Sequence, residues 1–110
     1  VNLVDTDMLY GHRNNAKGYA AALEEIDGAL ARMLPQLRKD DVFIVTADHG
    51  CDPTTASTDH SREYVPLLIF GDRVRPQNLG TLLGFDNIAK FVCALYGLNG
   101  DADIYEKIMR

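Results

Sequence analysis

The stretch Asp41-Val-Phe-Ile-Val-Thr-Ala47, followed at once by Asp48-His49-Gly50, constrains this chain more than any other. A short apolar run rich in Val, Ile and Phe reads as a buried strand. It ends in a carboxylate and an imidazole side by side, then a glycine. Ligands of open α/β sheets gather beyond the carboxyl ends of the strands, so adjacent Asp and His there offer an oxygen and a nitrogen donor to one metal ion. Two further segments carry the same chemistry. Asp7-Met-Leu-Tyr-Gly-His12 follows the apolar run Val1-Asn-Leu-Val4, and Thr58-Asp-His60 precedes the run Tyr64-Val-Pro-Leu-Leu-Ile-Phe70. All three histidines of the chain fall in these segments, each near a carboxylate. A single histidine is more often a solvated or packed residue than a ligand; three at equivalent places argue for one shared site.

The order of elements frames that site. Val1–Val4 reads as a strand and residues 5–13 as its loop. Asn14 or Asn15 can cap a helix by accepting a backbone N–H. That helix runs from Ala16 to Leu34, with Tyr19, Leu23, Ile26, Leu30 and Leu34 forming one apolar stripe, until Pro35 ends or kinks it. The second strand follows, then a long loop from Asp48 to Glu63 rich in turn formers. A third strand precedes a helix over residues 86–96, closed by Gly97 at C′, and residues 101–110 read as a short, frayed terminal helix. The pattern predicts an α/β fold with a mostly parallel sheet of about three strands and two to three helices. A right-handed crossover then brings Asp7 and Asp48 to one sheet edge. The chain does not begin with Met and opens inside a strand-like run. Three strands would leave raw edges, so residues 1–110 are expected to be a piece of a larger protein, oligomeric through those edges.

A net charge of −5 argues against a nucleic-acid partner, which would need clustered Lys and Arg. No apolar run approaches the roughly 20 residues of a membrane helix, and no basic segment leads into an apolar one as in a signal peptide. Two cysteines, Cys51 and Cys93, are too few for a disulfide scaffold and fit a reducing, cytoplasmic compartment. Cys93 reads as a small core residue, and Cys51 as a loop thiol or, less simply, a neighbour of the metal.

The candidate ligands are Asp7, His12, Asp48, His49 and His60. Mixed carboxylate and imidazole donors suit Mn, Zn, Co or Fe rather than Ca. Five ligands exceed what one tetrahedral ion needs, so two ions are expected. Two ions about 3.5–4 Å apart can clamp the attacking and leaving oxygens of a phosphoryl transfer. Arg62 either contacts phosphate through its planar fork or pairs with Glu63 or another nearby acid. Arg13 reads as a solvated helix-start residue. Asp5 reads as a hydrogen-bonding supporter of Asp7 or its replacement. Asp52 and Asp59 read as loop acids, and Met8 and Tyr10 as packing residues.

Three ordered motifs, Asp-Met-Leu-Tyr-Gly-His (7–12), Thr-Ala-Asp-His-Gly-Cys-Asp-Pro (46–53) and Thr-Asp-His-Ser-Arg-Glu-Tyr-Val-Pro-Leu (58–67), closely resemble the phosphopentomutase family of the alkaline phosphatase superfamily. The resemblance covers nearly the whole chain and falls on the carboxyl-terminal part of the family's catalytic core. It implies a three-layer α/β/α core, here partial. It also implies an isomerase of pentose phosphate and nucleoside catabolism, which interconverts ribose or deoxyribose 1-phosphate and 5-phosphate. The implied cofactors are two manganese ions, with Asp7, His12 and His60 on one and Asp48 and His49 on the other. The family completes the second ion with an early aspartate and a phosphorylated threonine. Thr46, Thr54, Thr55 and Thr58 do not match that nucleophile motif, and the family's cap domain has no counterpart here. The chain alone is therefore expected to be inactive. Alternatives are another phosphotransfer enzyme of the superfamily, such as cofactor-independent phosphoglycerate mutase or a metal phosphatase, and a non-catalytic metal-binding module.

Overall fold

In the computed structural model, residues 1–98 and 103–110 of the 110 are described. They order as a π-helical turn Thr6–Gly11, helix α1 Ala16–Met33, a 3₁₀ turn Leu34–Gln36, strands β1 Phe43–Thr46 and β2 Leu67–Phe70, and helices α2 Asp86–Leu95 and α3 Asp103–Ile108. They divide into two compact units, one of Val1–Arg38 with Val45–Leu68 and one of Lys39–Ile44 with Ile69–Arg110.

β1 is the four-residue run Phe-Ile-Val-Thr, whose β-branched and aromatic residues favour a pleated, half-buried backbone. β2 alternates half-buried Leu67 and Ile69 with exposed Leu68 and Phe70. The two strands form one two-stranded antiparallel sheet, so the described strands do not form the mostly parallel sheet of about three strands that the sequence led us to expect. An antiparallel bridge between Gly50 and Ser61 continues the pairing beyond the strand ends. The expected first strand, Val1–Val4, is absent, and Val1, Leu3 and Val4 are exposed. Its carbonyls are drawn into the turn that follows: Leu3 O accepts from Thr6 Oγ1 at 3.2 Å, and Val4 O from Met8 N at 2.9 Å. A strand needs those acceptors for a neighbour.

The first unit takes its length from α1. Asn15 caps it, its Oδ1 accepting from Gly18 N at 3.0 Å, and Pro35 ends it within the 3₁₀ turn. Ile26 and Leu30 are half-buried and Leu23 is exposed, so no residue of α1 is fully buried.

The second unit holds the core. Phe91, Ile104, Ile108 and Met109 are its buried apolar side chains. Phe91 of α2 meets Tyr105 of α3 with ring centroids 6.2 Å apart and planes tilted by 47°, a favourable aromatic geometry. The last turn is pinned rather than frayed. Arg75 N donates to Ile108 O at 2.7 Å, Arg110 N donates to Arg73 O at 2.9 Å, and Val74 bridges Met109. The spacing of Ile104 and Ile108 puts both on the inward face of one turn. Residues 101 and 102, the expected start of this helix, lie outside the described residues. α2 ends as expected at Gly97, whose φ of 68° only glycine adopts freely. Gly97 N donates to Ala94 O and Leu98 N to Cys93 O, a Schellman closure. No helix among the described residues is long and apolar enough to cross a membrane.

Two outcomes follow for the second unit. Phe91 is 1% exposed, so Phe91→Ala is expected to lose about 3–5 kcal/mol, read as a lowered thermal midpoint of the near-ultraviolet signal of Tyr105. In α2, Lys90 Nζ lies 2.9 Å from Asp86 Oδ2, and this hydrogen bond, followed by the charge of Lys90, holds the Asp86 carboxyl below its ordinary value. A carboxyl lowered by folding adds stability above its unfolded value, and that stability fades as pH falls through the folded one. NMR titration of Asp86 is expected to show the low midpoint, and Lys90→Ala to raise it.

Candidate metal centre

The π-helical turn sets the first part of the site. A π-helix bonds residue i to i+5 rather than i+4, and His12 N accordingly donates to Asp7 O at 3.0 Å. In an α-helix residues five apart diverge around the axis; here the wider winding stacks Asp7 and His12 on one side. His12 Nε2 lies 3.5 Å from Asp7 Oδ1. This segment was expected to be a strand-end loop, and the turn replaces it.

The second part comes from the fold-back after β1. Ser61 N donates to Gly50 O at 3.2 Å, closing the bridge between these residues. Gly50 is buried, and a Cβ there would fall 2.6 Å from Glu63 N. The close approach of the two backbones therefore needs glycine. It draws His49 and His60, eleven residues apart in sequence, into a stack with centroids 3.5 Å apart and planes tilted by 12°. His12 stands 4.9 Å from His60, centroid to centroid.

All three imidazoles converge on one atom. Asp7 Oδ1 lies 3.3 Å from His60 Nε2, 3.5 Å from His12 Nε2 and 3.8 Å from His49 Nε2. The oxygen is buried and has no hydrogen-bond partner, an arrangement that costs free energy unless something compensates it. Two donors each about 2.1 Å from a shared ion stand roughly 3.0–3.5 Å apart at octahedral to tetrahedral angles. The His60 and His12 separations, 3.3 and 3.5 Å, fall in this range, and that of His49, 3.8 Å, lies beyond it. Donor atoms of Asp7, His49 and His60 all lie within 4.8 Å of one another.

The backbone presets the ring nitrogens. His12 Nδ1 lies 2.6 Å from Thr58 O and His49 Nδ1 lies 3.1 Å from Gly50 O. A carbonyl only accepts, so each Nδ1 carries a hydrogen, and in the neutral ring the Nε2 lone pair then faces Asp7. Metal-binding histidines are oriented by such partners. Residue types announce nothing about these carbonyls, and reading the chain alone missed both.

Asp48 sits at the rim. Its Oδ1 is 3.6 Å from His49 Nε2, and its side chain is 86% exposed. Asp5 is exposed at the start of the π-helical turn and makes no capping bond; it is the Asp7 carboxylate that faces the histidines. Arg13 and Arg62 are exposed. Asp52 stabilises its loop as expected, accepting from Thr54 Oγ1 at 2.6 Å and Thr54 N at 2.9 Å. These bonds hold its carboxyl below the ordinary value. Burial, then the charges of Asp7 and Asp52, push the Cys51 thiol up, so it stays protonated. Its Sγ presses on the turn, because a Cβ on buried Gly11 would lie 2.7 Å from it. Burial, then Cys51 and Asp7, raise the Tyr19 phenol in the same way.

Comparison with known proteins agrees with this chemistry. A family profile described as the metalloenzyme superfamily matches residues 1–100. A curated phosphopentomutase of Carboxydothermus hydrogenoformans is 56% identical over 98 residues, covering 88% of this chain and 25% of its own length. Phosphopentomutases of Acetivibrio thermocellus and Kosmotoga olearia are 53% identical over 103 residues and 54% over 98, covering 93% and 88% of this chain but 26% and 25% of their own lengths. The chain spans about a quarter of the length of these curated relatives. The matched profile and the carboxylate-imidazole cluster agree: this chain belongs to the metalloenzyme superfamily.

Proposed function

We propose that this chain is the carboxyl-terminal part of the catalytic core of a phosphopentomutase, with residues 1–110 supplying ligands to a two-ion manganese centre. The observation that carries the reading is the buried, unpartnered Asp7 Oδ1 ringed by three imidazole nitrogens. The relatives' shared name supports the reaction class. In this reading Asp7, His12 and His60 hold one ion. His49 belongs with Asp48 on the other; its Nε2 lies 3.6 Å from Asp48 Oδ1, although its donor atom also clusters with those of Asp7 and His60. Carboxylate and imidazole donors together suit manganese among several divalent ions.

When bound, such ions neutralise phosphate charge and hold its oxygens in line. The chain's own part is to orient them. Asp7 supplies the negative charge, and His12 and His49 are fixed by their Nδ1 bonds to carbonyls. In this reading Arg62, which is exposed two residues beyond His60, meets the phosphate of ribose or deoxyribose 1-phosphate or 5-phosphate. The nucleophilic threonine and the remaining ligands of the second ion would come from polypeptide corresponding to the rest of the relatives' length. So would the strands completing a three-layer core with a mostly parallel sheet. The chain alone is then inactive as a mutase, and the open edges of its two-stranded sheet favour self-association. Two free cysteines fit a cytoplasmic setting. Phosphoglycerate mutase activity is not favoured, since the reported relatives carry the other name.

Calorimetric titration with manganese is expected to show binding to the native chain. Asp7→Ala and His12→Ala are each expected to weaken it at least tenfold, and lowering the pH to weaken it further, because ligating imidazoles must be neutral. Absence of heat from the native chain, or equal heat from the variants, would refute the assignment. No turnover of ribose 1-phosphate is expected until the missing three quarters of a relative is supplied.

A further inference from the structure

We propose that Tyr10 is a positioning residue for the metal centre: its ring, lying on Gly18, latches the loop that carries His12 and keeps His12 Nε2 directed at Asp7. The purpose of the latch rests on the metal-binding reading above; its geometry does not.

Residues 12–15 form a short excursion between the π-helical turn and α1, and His12 lies within it, its side chain 43% exposed. The ring meets His60 and Thr58 O, and the ends of the excursion decide whether the backbone of His12 holds it there. Those ends are tied at Tyr10. Asn15 N donates to Tyr10 O at 2.9 Å, and Asn15 Oδ1 in turn accepts from Gly18 N at 3.0 Å. The Tyr10 ring then lies directly on the backbone of α1. A Cβ on Gly18 would collide with Tyr10 Cδ1 and stand 2.6 Å from Cε1. Between these ties the chain reverses at Asn14, whose φ of 48° is left-handed, a conformation Asn tolerates better than most residues. Gly11 is held from the other side by Cys51 Sγ. With both ends clamped, His12 can donate Nδ1–H to Thr58 O and present Nε2 to Asp7. If the ring is removed, the tie on α1 goes and the excursion gains freedom. The contact is made by ring carbons, so phenylalanine should serve as well as tyrosine.

The test reads His12 in the metal-free chain by two-bond ¹H–¹⁵N NMR of the imidazoles, which reports the tautomer, together with manganese affinity. The wild-type chain and Tyr10→Phe are expected to show His12 protonated at Nδ1. Tyr10→Ala is expected to show an average of tautomers and about tenfold weaker manganese binding, the scale seen when a ligand loses its orienting partner. Should Tyr10→Ala lose its far-ultraviolet helix signal, Gly18→Ala replaces it. The added Cβ displaces the ring and also meets the capping Asn15 Nδ2 at 2.7 Å, so Gly18→Ala is read beside Asn15→Asp, which keeps the cap acceptor, and the same loss at His12 is expected only of Gly18→Ala. A folded Tyr10→Ala or Gly18→Ala that keeps the wild-type tautomer and affinity would overturn the proposal, as would Tyr10→Phe behaving like Tyr10→Ala. If the wild-type chain binds no manganese yet Tyr10→Ala still loses the His12 tautomer, the metal reading falls and the latch stands.

Discussion

A carboxylate oxygen taken out of water with nothing to accept from is the constraint around which the first unit is arranged. Asp7 Oδ1 has no donor of its own, yet three imidazoles from distant parts of the chain point a nitrogen at it. Desolvating a negative charge is costly unless positive charge compensates it. A divalent cation is the compensation that the donor types and their separations suit. The π-helical winding, the glycine contacts and the carbonyl acceptors all serve to bring those nitrogens to one point.

Much of this was legible from residue types. The acidic and imidazole pairs at 7 and 12, at 48 and 49, and at 59 and 60 marked the loops that converge, and the fold-back bringing His60 beside His49 was expected. α1 and α2 lie within a residue of where their apolar periodicity put them, and the glycine closing α2 took the anticipated conformation. These features depend on local spacing, which a sequence carries openly.

What was misread depends on partners that spacing does not name. Val1–Val4 has the composition of a strand, but its carbonyls are used by the turn that follows. The parallel sheet was inferred from alternation of strands and helices, whereas the two strands described are joined by a fold-back and run antiparallel. The terminal helix was expected to be short and frayed. Ile104, Ile108 and Met109 are nevertheless three of the four buried apolar residues in the described core. The wide helical winding over Thr6–Gly11 has no residue-type signature at all.

The bridge between Gly50 and Ser61 separates two matters that usually go together. The spacing of the stacked rings is fixed by residues adjoining that pinch, while residues 54–57 within the loop are exposed. Lengthening a solvated loop adds only a slowly growing entropic penalty. Residues 54–57 are therefore free to drift in length and composition over evolution, provided that Thr58 still brings its carbonyl to His12, so a stretch close in sequence to two candidate ligands is only loosely tied to their geometry.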